Sequence, residues 1–338
     1  MIAIGITALR GAALPVLPAG IAGTSATGSM TARISASGTL VLVPAEYSAK
    51  TVLSVGRDGS ALALDLPGGR YANPRVSPDG RRLLVENYGT EMSIFDFARG
   101  TLERLSPAAY GTNFGTWSAD GARVMFRMFN TPVWANADGS GKTTPVPGGY
   151  VNNYPAAPGP DADSIFIVRI VEGGSGDIAL VSLSGAFAAK SIVATPGYDG
   201  GPTLSPDGRW LLFVSTMSGQ PEAYVKPYPA LDRQWQVSAG GGTQVRWSRN
   251  GREIYYRSRQ HFVAVPFTAT GNEPAIGKPV NLFADTYDYG TGISIPNYDV
   301  TPDGRFILTK RQAGDSGLQL GLNWASQLER ILAAGGVR

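Results

Sequence analysis

The sequence predicts an all-β protein, a β-propeller built from four-stranded blades. Three observations lead to this prediction: turns of the type Ser-Pro-Asp-Gly recur along the chain, the step between them is nearly constant, and short apolar runs follow each turn. A strand-rich repeat with a period of ~40–45 residues is typical of propeller blades. We therefore expect each repeat to form one blade, with the recurring turn joining its first strand to its second.

The clearest copy of the repeat begins with Ser-Pro-Asp-Gly at 205–208 and continues as Trp-Leu-Leu-Phe-Val over 210–214. Pro206 presets φ at the second position of a turn, and Gly208 is expected to take a positive φ that a β-carbon would resist. In the run that follows, alternate side chains point to opposite sides of the strand, and both sets are apolar. Such a strand has no wet face, so it must lie between stacked sheets.

Seven such turns, called anchor turns below, predict seven blades, with six or eight as the alternatives. Measured between their fourth residues, the steps are 42, 41, 41, 46, 43 and 53 residues. The anchor turns occupy 35–38, 77–80, 118–121, 159–162, 205–208, 248–251 and 301–304.

One domain over residues 1–338 is expected, with repeated blades over 31–322. Residues 2–7 resemble 263–268, and no positive region precedes them, so we interpret 1–30 as closing strands of the propeller rather than as a signal peptide. The last blade would take its third strand from 318–322. Over 323–335, Asn323 can cap a short helix that has an apolar face and ends at Gly335.

The composition excludes several classes of function. Of the 338 residues 43% are hydrophobic and only 16% are charged, with a net charge of +3, so no strong field attracts nucleic acid or an anionic membrane. The chain has no cysteine, which removes disulfides, thiolate nucleophiles and zinc-thiolate sites. Its single histidine, His261, also leaves no histidine-based metal centre.

Two stretches imitate catalytic motifs. The sequence over 136–143 ends in Gly-Lys-Thr like a phosphate-binding loop, but Asn136 replaces the first glycine and prolines follow where a helix should begin, so a hairpin turn is expected. The Gly-Asp-Ser-Gly string at 314–317 resembles the nucleophile turn of a serine protease. A hydrolase of that kind needs a base, and His261 is expected at a hairpin without a Gly-x-Ser-x-Gly elbow.

The repeats resemble TolB-like, WD40-like (PD40) propeller repeats, whose unit reads Ser-Pro-Asp-Gly-x-x-Ile-Ala-Phe, and this resemblance covers nearly the whole chain. More narrowly, several segments are similar to the C-terminal propeller attached to many bacterial, especially acidobacterial, serine/threonine kinases. These segments are 205–210 through 219–229, 235–242, 247–256, 298–306 and 323–324. The kinase motifs themselves are absent from the sequence, so the resemblance does not imply phosphoryl transfer. It suggests an extracytoplasmic or periplasmic location, while the residues leave the cytoplasm open.

We therefore expect a monomeric propeller that acts as a binding or sensory module for a peptide, protein or glycan. No catalytic residue, metal, cofactor, nucleic-acid partner or membrane span is expected. The alternative is a propeller-type hydrolase, either a glycosidase or a lactonase, or the gating propeller of a prolyl-oligopeptidase-like peptidase. A bound cation or two facing carboxylates in the central channel would favour that alternative.

In a propeller the anchor turns lie on one face, the anchor face. The loops that enter each blade, and those after its second strand, lie on the other, the loop face. Ligands usually meet the loop face, where the sequence places amide and aromatic side chains suited to a peptide or glycan. These candidate ligand-binding residues are Tyr71, Asn73, Asn87, Tyr88, Asn113, Phe129, Asn130, Asn152, Asn153, Tyr154, Tyr198 and Asp199.

Overall fold

The structure is a computed structural model, and the chain divides into two compact units, residues 1–48 with 313–338 and residues 49–312. It describes residues 32–34, 40–42, 49–87, 90–106, 111–129, 131–140, 142–146, 153–171, 175–182, 189–290, 292–312, 319–321, 326 and 330. Every element of this described part is a β-strand.

The strands fall into one three-stranded sheet and six larger sheets. In chain order they are β1 (Ala32–Ile34), β2 (Leu40–Leu42), β3 (Lys50–Val55), β4 (Ala61–Ala63), β5 (Tyr71–Val76), β6 (Arg82–Asn87), β7 (Glu91–Asp96), β8 (Thr101–Arg104), β9 (Asn113–Trp117), β10 (Arg123–Met128), β11 (Thr131–Asn136), β12 (Thr144–Pro145), β13 (Asn153–Pro158), β14 (Ser164–Ile170), β15 (Gly176–Ser182), β16 (Lys190–Val193), β17 (Asp199–Leu204), β18 (Trp210–Ser215), β19 (Glu222–Pro227), β20 (Trp235–Gln236), β21 (Thr243–Trp247), β22 (Glu253–Arg257), β23 (His261–Thr270), β24 (Glu273–Ile276), β25 (Val280–Ala284), β26 (Tyr298–Val300), β27 (Phe306–Arg311) and β28 (Gln319–Gly321).

The unit 49–312 is a propeller of six blades, so the expectation of seven is wrong. Blades one to four are β5–β8, β9–β12, β13–β16 and β17–β20; blade five is β21–β25; and blade six joins β26, β27, β3 and β4. Each inner strand contacts the next in the order β5, β9, β13, β17, β21 and β26, and β26 contacts β5. Six strands therefore close the ring around the central channel.

The extra predicted blade came from the first anchor turn. Residues 35–38 lie outside the described part of the chain, and the strands on either side of them, β1 and β2, pair with each other. β2 also pairs with β28, which forms the three-stranded sheet of the unit 1–48 with 313–338. Strands are present on both sides of residues 35–38, but β1, β2 and β28 form a sheet of their own rather than a seventh blade.

The sixth blade closes the ring with strands from both ends of the unit. β3 pairs with β27 through six residues, from Phe306 opposite Val55 to Arg311 opposite Lys50, and β4 then pairs with β3. The third strand of this blade is thus β3 rather than residues 318–322. Its pairing with β27 joins the two ends of the ring by hydrogen bonds, which an open ring would leave unmade. Residues 1–30, expected to supply closing strands, lie outside the described residues.

The expected short C-terminal helix is also corrected, because no helix is among the described elements. The last described element of the chain is β28, which pairs with β2 up to Gly321. Of the segment 323–335 the structure describes only Ser326 and Arg330.

The anchor turns have the conformation that their sequence predicts. In the turn of blade four, Gly208 has φ 69° and its N–H donates to the Ser205 carbonyl (2.8 Å). The Ser205 hydroxyl donates to Asp207 (2.5 Å) and accepts from the Trp210 N–H (3.0 Å). The same contacts recur in blades one and two, so the serine ties the turn to the start of the second strand.

The core lies between neighbouring blades, as the apolar run of blade four predicts. Trp210, Leu212 and Val214 of β18 pack into one cluster with residues of blade five, including Trp247. The alternate residues of the same strand, 211 and 213, pack into a second cluster with blade three. Both faces of this strand are buried, which confirms its assignment to stacked sheets.

Candidate functional site

The residue two positions before each of the six anchor turns of the propeller lines the central channel. Each of these residues belongs to an inner strand, and the six together surround one cavity. They are Arg75, Thr116, Ala157, Thr203, Arg246 and Asp299, in the order of the blades. Because the offset from the anchor turn is constant, the repeat brings residues from six distant parts of the sequence to one level of the channel.

A bulge in most of the inner strands separates this level from the loop face. The register of β5, β9, β13, β17 and β21 shifts by a bulge before the anchor turn. At the bulge, Asn73, Phe114, Gly201 and Gln244 have left-handed φ values of 48°, 58°, 61° and 53°. Since a bulge bends its strand, residues before it contact the loop-face segments and residues after it line the cavity.

The cavity has a volume of about 450 Å³ and opens on the anchor face. Its mouth is formed by residues of the anchor turns, among them the exposed Pro78, Ala119, Pro206 and Pro302. Farther in, the two indoles of Trp117 and Trp247 form part of the wall. The Trp117 Nε1–H donates to the Arg75 carbonyl (2.9 Å), and the Trp247 Nε1–H donates to the Thr203 carbonyl (3.3 Å), so each indole fixes the neighbouring inner strand.

Two arginines and one aspartate make one side of the cavity strongly polar. Arg75 and Arg246 are 6% and 7% exposed, and Asp299 lies between them on the adjacent blade. The Asp299 carboxylate accepts the backbone N–H groups of Val76 (2.8 Å) and Val300 (2.9 Å), and it contacts the Arg246 Nε at 3.4 Å. A single carboxylate, already bonded to the backbone, therefore faces two guanidinium groups.

The guanidinium groups are incompletely satisfied. Arg75 Nη1 donates to the carbonyls of Pro74 and Pro296, each at 2.7 Å. The Nε atoms of Arg75 and Arg246 are buried, and neither has a hydrogen-bond partner among the described residues. Burial lowers the pKa of Arg75 to about 9, and repulsion from the Arg246 charge is the next cause. Among the described residues that line the cavity, Asp299 is the single carboxylate, so the two guanidinium charges are only partly compensated.

A segment between β25 and β26 lies across the opposite end of the channel. This capping segment comprises residues 286–290 and 292–297, and it contacts the inner-strand ends of blades four, five and one. Its hydrogen bonds join Ser294 to the Tyr198 hydroxyl (2.9 Å), Gly292 to Gln244 (2.9 Å) and Asn297 to the Asn73 N–H (2.7 Å). The capping segment therefore lies at the loop-face ends of these inner strands.

Buried ion pairs hold the capping segment. Arg257, 1% exposed, donates two hydrogen bonds of 2.7 Å to the Asp285 carboxylate, and its Nη1 donates to the Asp288 carbonyl (2.9 Å). The Asp288 carboxylate pairs with Lys50 (2.7 Å) and Arg311 (3.1 Å), and the Lys50 hydrogen bond is the main cause that holds the pKa of Asp288 below its usual value despite burial. Three cations on two blades thus fix this segment.

Most of the sequence-predicted loop-face residues bond within the protein. Asn73 Nδ2 donates to Glu86 (2.8 Å), and the Asn87 side chain accepts the Arg70 N–H (3.0 Å). Asn113 accepts from Arg127 Nε (3.0 Å), and the Tyr71 hydroxyl donates to the Pro67 carbonyl (2.8 Å). Phe129 is exposed at 61% with φ 56°. Tyr88, Asn130 and Asn152 lie outside the described residues, and Asn153 is described only as backbone of β13.

Three further predicted residues meet near the capping segment. The hydroxyls of Tyr154 and Tyr198 share a short hydrogen bond, and Tyr198 also bonds Ser294. Burial raises the pKa of Tyr154 well above its usual value, and the contact with Tyr198 adds to the shift. The buried Asp199 carboxylate accepts the N–H and hydroxyl of Thr195 (2.6 and 2.9 Å), while burial raises its pKa. These groups join blades three and four to the capping segment.

The sequence analysis did not identify Arg75, Arg246 and Asp299. The signal was present, because each stands two residues before an anchor turn, where a charged residue interrupts an inner strand. A comparison of the seven repeats at that offset would have found them. The predicted ligand-binding residues were chosen mainly from loops, so the charged residues within the inner strands were missed.

The imitations of catalytic motifs form ordinary turns where the structure describes them. Residues 136–143 connect β11 and β12, which pair as an antiparallel hairpin, so the hairpin prediction is confirmed. His261 starts β23 after a turn, and its N–H donates to the Ser258 hydroxyl (3.0 Å), as expected of a hairpin histidine. The string at 314–317 lies outside the described residues.

The described residues offer neither a metal-binding cluster nor a membrane-spanning helix. They contain no group of three or more His, Asp and Glu side chains that could hold a metal ion. No helical segment in the same part of the chain has the length and hydropathy of a transmembrane span.

Comparison with solved structures gives the fold. The chain is similar to a TolB-like protein from Agrobacterium tumefaciens, with 17% identity and a TM-score of 0.60, over 79% of this chain and 99% of that one. TolB from Acinetobacter baumannii matches with 15% identity and a TM-score of 0.50, over 80% of this chain and 66% of that one. An oligogalacturonate lyase in complex with manganese matches with 13% identity and a TM-score of 0.51, over 83% and 96%.

No protein-family model and no curated protein matches the sequence. The structural neighbours thus include TolB-like propellers and a propeller enzyme, and at these identities they establish the fold alone.

Proposed function

We propose that this chain is a non-catalytic binding module that takes the end of a peptide or protein partner into the channel cavity on the anchor face. The observation that carries this proposal is the cavity itself, which opens between the anchor turns and has buried guanidinium groups with unpaired N–H donors in its wall. A concave site with apolar walls and a few convergent polar groups is typical of a ligand site.

The dimensions of the cavity suit the end of a chain. A volume of about 450 Å³ lies within the ~300–1,000 Å³ of ordinary ligand sites and is too small for a folded domain. Prolines at the mouth and two indoles in the wall offer flat apolar surface against which an extended peptide packs. The capping segment lies at the loop-face end and anchor-turn residues line the cavity, so we expect a ligand to enter from the anchor face.

The chemistry of the lining favours binding over hydrolysis. A glycosidase needs two carboxylates ~5–10 Å apart. Among the described residues that line the cavity, Asp299 is the single carboxylate, and its oxygens already accept two backbone N–H groups. A carboxylate held in this way is poorly placed to take a proton from water.

The experiment is peptide selection with a blocked variant. A random peptide library is selected on the immobilised protein, and enriched peptides are titrated against Thr203→Trp, which places an indole in the cavity, and Thr268→Trp. Thr268 is an exposed residue of β23 outside this cavity, so it is the matched control. We expect Thr203→Trp to abolish binding and Thr268→Trp to leave it unchanged, with both variants folded by circular dichroism.

Enriched peptides that bind both variants equally would contradict the proposal, as would a library without enrichment. A glycan array and assays with chromogenic glycosides and lactones, run on the same preparation, test the competing classes. Turnover of any of these substrates that Thr203→Trp abolishes would replace the binding function by a hydrolase.

A further inference from the structure

We propose that Arg75 and Arg246 form a carboxylate-binding site at the base of the channel cavity. This inference rests on the proposed binding function and specifies the group that the ligand presents. The carboxylate comes from the C-terminus of a peptide or from an acidic side chain, and its oxygens bind the two guanidinium groups, whose charge Asp299 only partly compensates.

The first observation is that two buried arginine Nε atoms lack a hydrogen-bond acceptor among the described residues. Native proteins pair nearly all buried polar atoms, so each exception needs an explanation. Two of the few exceptions among the described side chains are Nε of Arg75 and Nε of Arg246, and both residues line the same cavity. Within the part of the chain that the structure describes, the closest ion-pair contact of Arg246 is the 3.4 Å approach of its Nε to Asp299. Their coincidence at one site indicates an external acceptor.

The second observation is the contrast with Arg257, a third buried arginine among the described residues, in the way its guanidinium group is hydrogen-bonded. Arg257 is as deeply buried, but a carboxylate bonds it with two parallel contacts of 2.7 Å, and carbonyl groups accept its remaining donors. A bidentate pair of this kind is how proteins normally compensate a buried guanidinium. The fold can therefore satisfy a buried arginine, and at Arg75 and Arg246 it does not.

The third step is the charge of the ligand group. The cavity wall carries three guanidinium groups, Arg75, Arg246 and Arg249, and one carboxylate, Asp299, so it favours an anion. Arg249, nearer the mouth, donates to the carbonyls of Val300 (2.8 Å) and Val76 (3.3 Å), while Arg75 and Arg246 stand at the base. Because the proposed ligand is a peptide, the anion that it supplies is a carboxylate, whose planar oxygens match a guanidinium group.

The fourth step is access. Thr116 and Thr203 stand at the same level as the arginines on the uncharged side of the channel, and their small side chains leave room for the entering group. The path to solvent passes the anchor-turn prolines, while the capping segment lies at the other end. A carboxylate at the tip of an extended chain can enter by this path, and its contact with the buried Nε atoms requires a shift of the arginine side chains.

The test uses small probes and observes the arginines directly. Acetyl-Gly-Gly supplies a C-terminal carboxylate and acetyl-Asp-amide an acidic side chain, with acetyl-Gly-Gly-amide and acetyl-Asn-amide as their neutral counterparts. Nitrogen-15 NMR of the full chain follows the Nε–Hε signals of Arg75 and Arg246, assigned with lysine variants. We expect a carboxylate probe to shift both signals saturably and the neutral counterparts to shift neither. Comparison of the two carboxylate probes identifies the source of the group.

Substitution separates binding from folding. Arg246→Gln should weaken the carboxylate probe by about tenfold or more, since hydrogen bonds to charged groups are the strong ones. Arg209→Gln, at an exposed arginine of the anchor face outside this cavity, should leave the affinity unchanged. The remaining Arg75 signal reports whether Arg246→Gln keeps its fold, because Arg75 donates to Pro296 of the capping segment.

The proposal fails if neutral probes shift the signals as much as the carboxylates, if no carboxylate shifts them, or if inorganic phosphate binds more tightly than either carboxylate. These results are distinct from failure of the peptide selection. Probe binding without any enriched peptide would overturn the peptide function and keep the site. Peptides that need the cavity but ignore Arg246→Gln would overturn the site and keep the function.

Discussion

The glycine of each anchor turn allows a sharp test of how the blades are joined. Gly80 of blade one and Gly208 of blade four have nearly the same φ, 74° and 69°. A β-carbon on Gly80 would lie 2.3 Å from Cγ of Pro302, in the anchor turn of the closing blade, whereas a β-carbon on Gly208 would meet nothing within 4 Å. The two glycines thus differ in their neighbour and not in their backbone.

The expected magnitudes follow from that difference. Alanine at either site takes a left-handed conformation, which costs ~1–2 kcal/mol. At Gly80 the added carbon must also displace Pro302, and overpacking of this kind costs a further ~1–3 kcal/mol. We therefore expect Gly80→Ala to lower the free energy of unfolding by ~2–5 kcal/mol and Gly208→Ala by ~1–2 kcal/mol.

Urea unfolding at equilibrium, with far-UV circular dichroism as the signal, measures both values. Pro302→Ala removes the Cγ and Cδ atoms that cause the overlap, so a double-mutant cycle should show that it relieves most of the extra cost of Gly80→Ala. It should not relieve Gly208→Ala. Equal costs for the two glycine variants, or the absence of coupling between 80 and 302, would refute the packing of blade one against the closing blade.

Three further predictions follow from the contacts described above. Hydrogen bonds from Ser77 and Ser118 lower the pKa values of Asp79 and Asp120. The stability that these carboxylates contribute is therefore present above the unfolded pKa of ~3.9 and is lost as the pH falls through the lower folded value. Asp79→Asn should flatten the fall of the melting temperature below about pH 4, and an unchanged pH profile would contradict this. Arg257→Gln should destabilise the protein by ~3–5 kcal/mol, because it leaves the buried Asp285 unpaired. Hydrogen exchange should then accelerate first in the capping segment. Uniform acceleration of exchange would show that this segment does not depend on Arg257. Mg-ATP should give no saturable heat in calorimetry, because residues 136–143 form a hairpin turn, and micromolar binding that disappears in Lys142→Ala would be the contrary result.

The sequence predicted the parts of the fold that depend on local chemistry. The Ser-Pro-Asp-Gly turns determine their own conformation through the serine hydroxyl and the positive φ of glycine, so the strands on either side of them could be located. The number of blades could not be counted in the same way. β1 and β2 flank a sequence of the same type, and the pairing of β2 with β28 depends on residues about 280 positions away.

The candidate site was harder to predict because long-range contacts decide which face of the channel is open. Ser294 reaches Tyr198 and Asn297 reaches Asn73, and neither pair leaves a local pattern in the sequence. One clue existed, since the step of 53 residues between the last two anchor turns is the longest and contains both the β24 hairpin and the capping segment. The charged residues Arg75 and Arg246 were visible at a constant offset, but only the closed ring brings them together.

The central claim is that ligands enter from the anchor face, and site-specific photo-crosslinking tests it most directly. A benzoylphenylalanine is placed at Ala119, at the mouth of the cavity, or at the exposed Phe129 of the loop face, and each variant is irradiated with a peptide enriched in the selection. If ligands enter from the anchor face, position 119 should give a crosslink that excess unlabelled peptide suppresses, and position 129 should give none. A crosslink from position 129 alone would contradict it and return the binding site to the loop face.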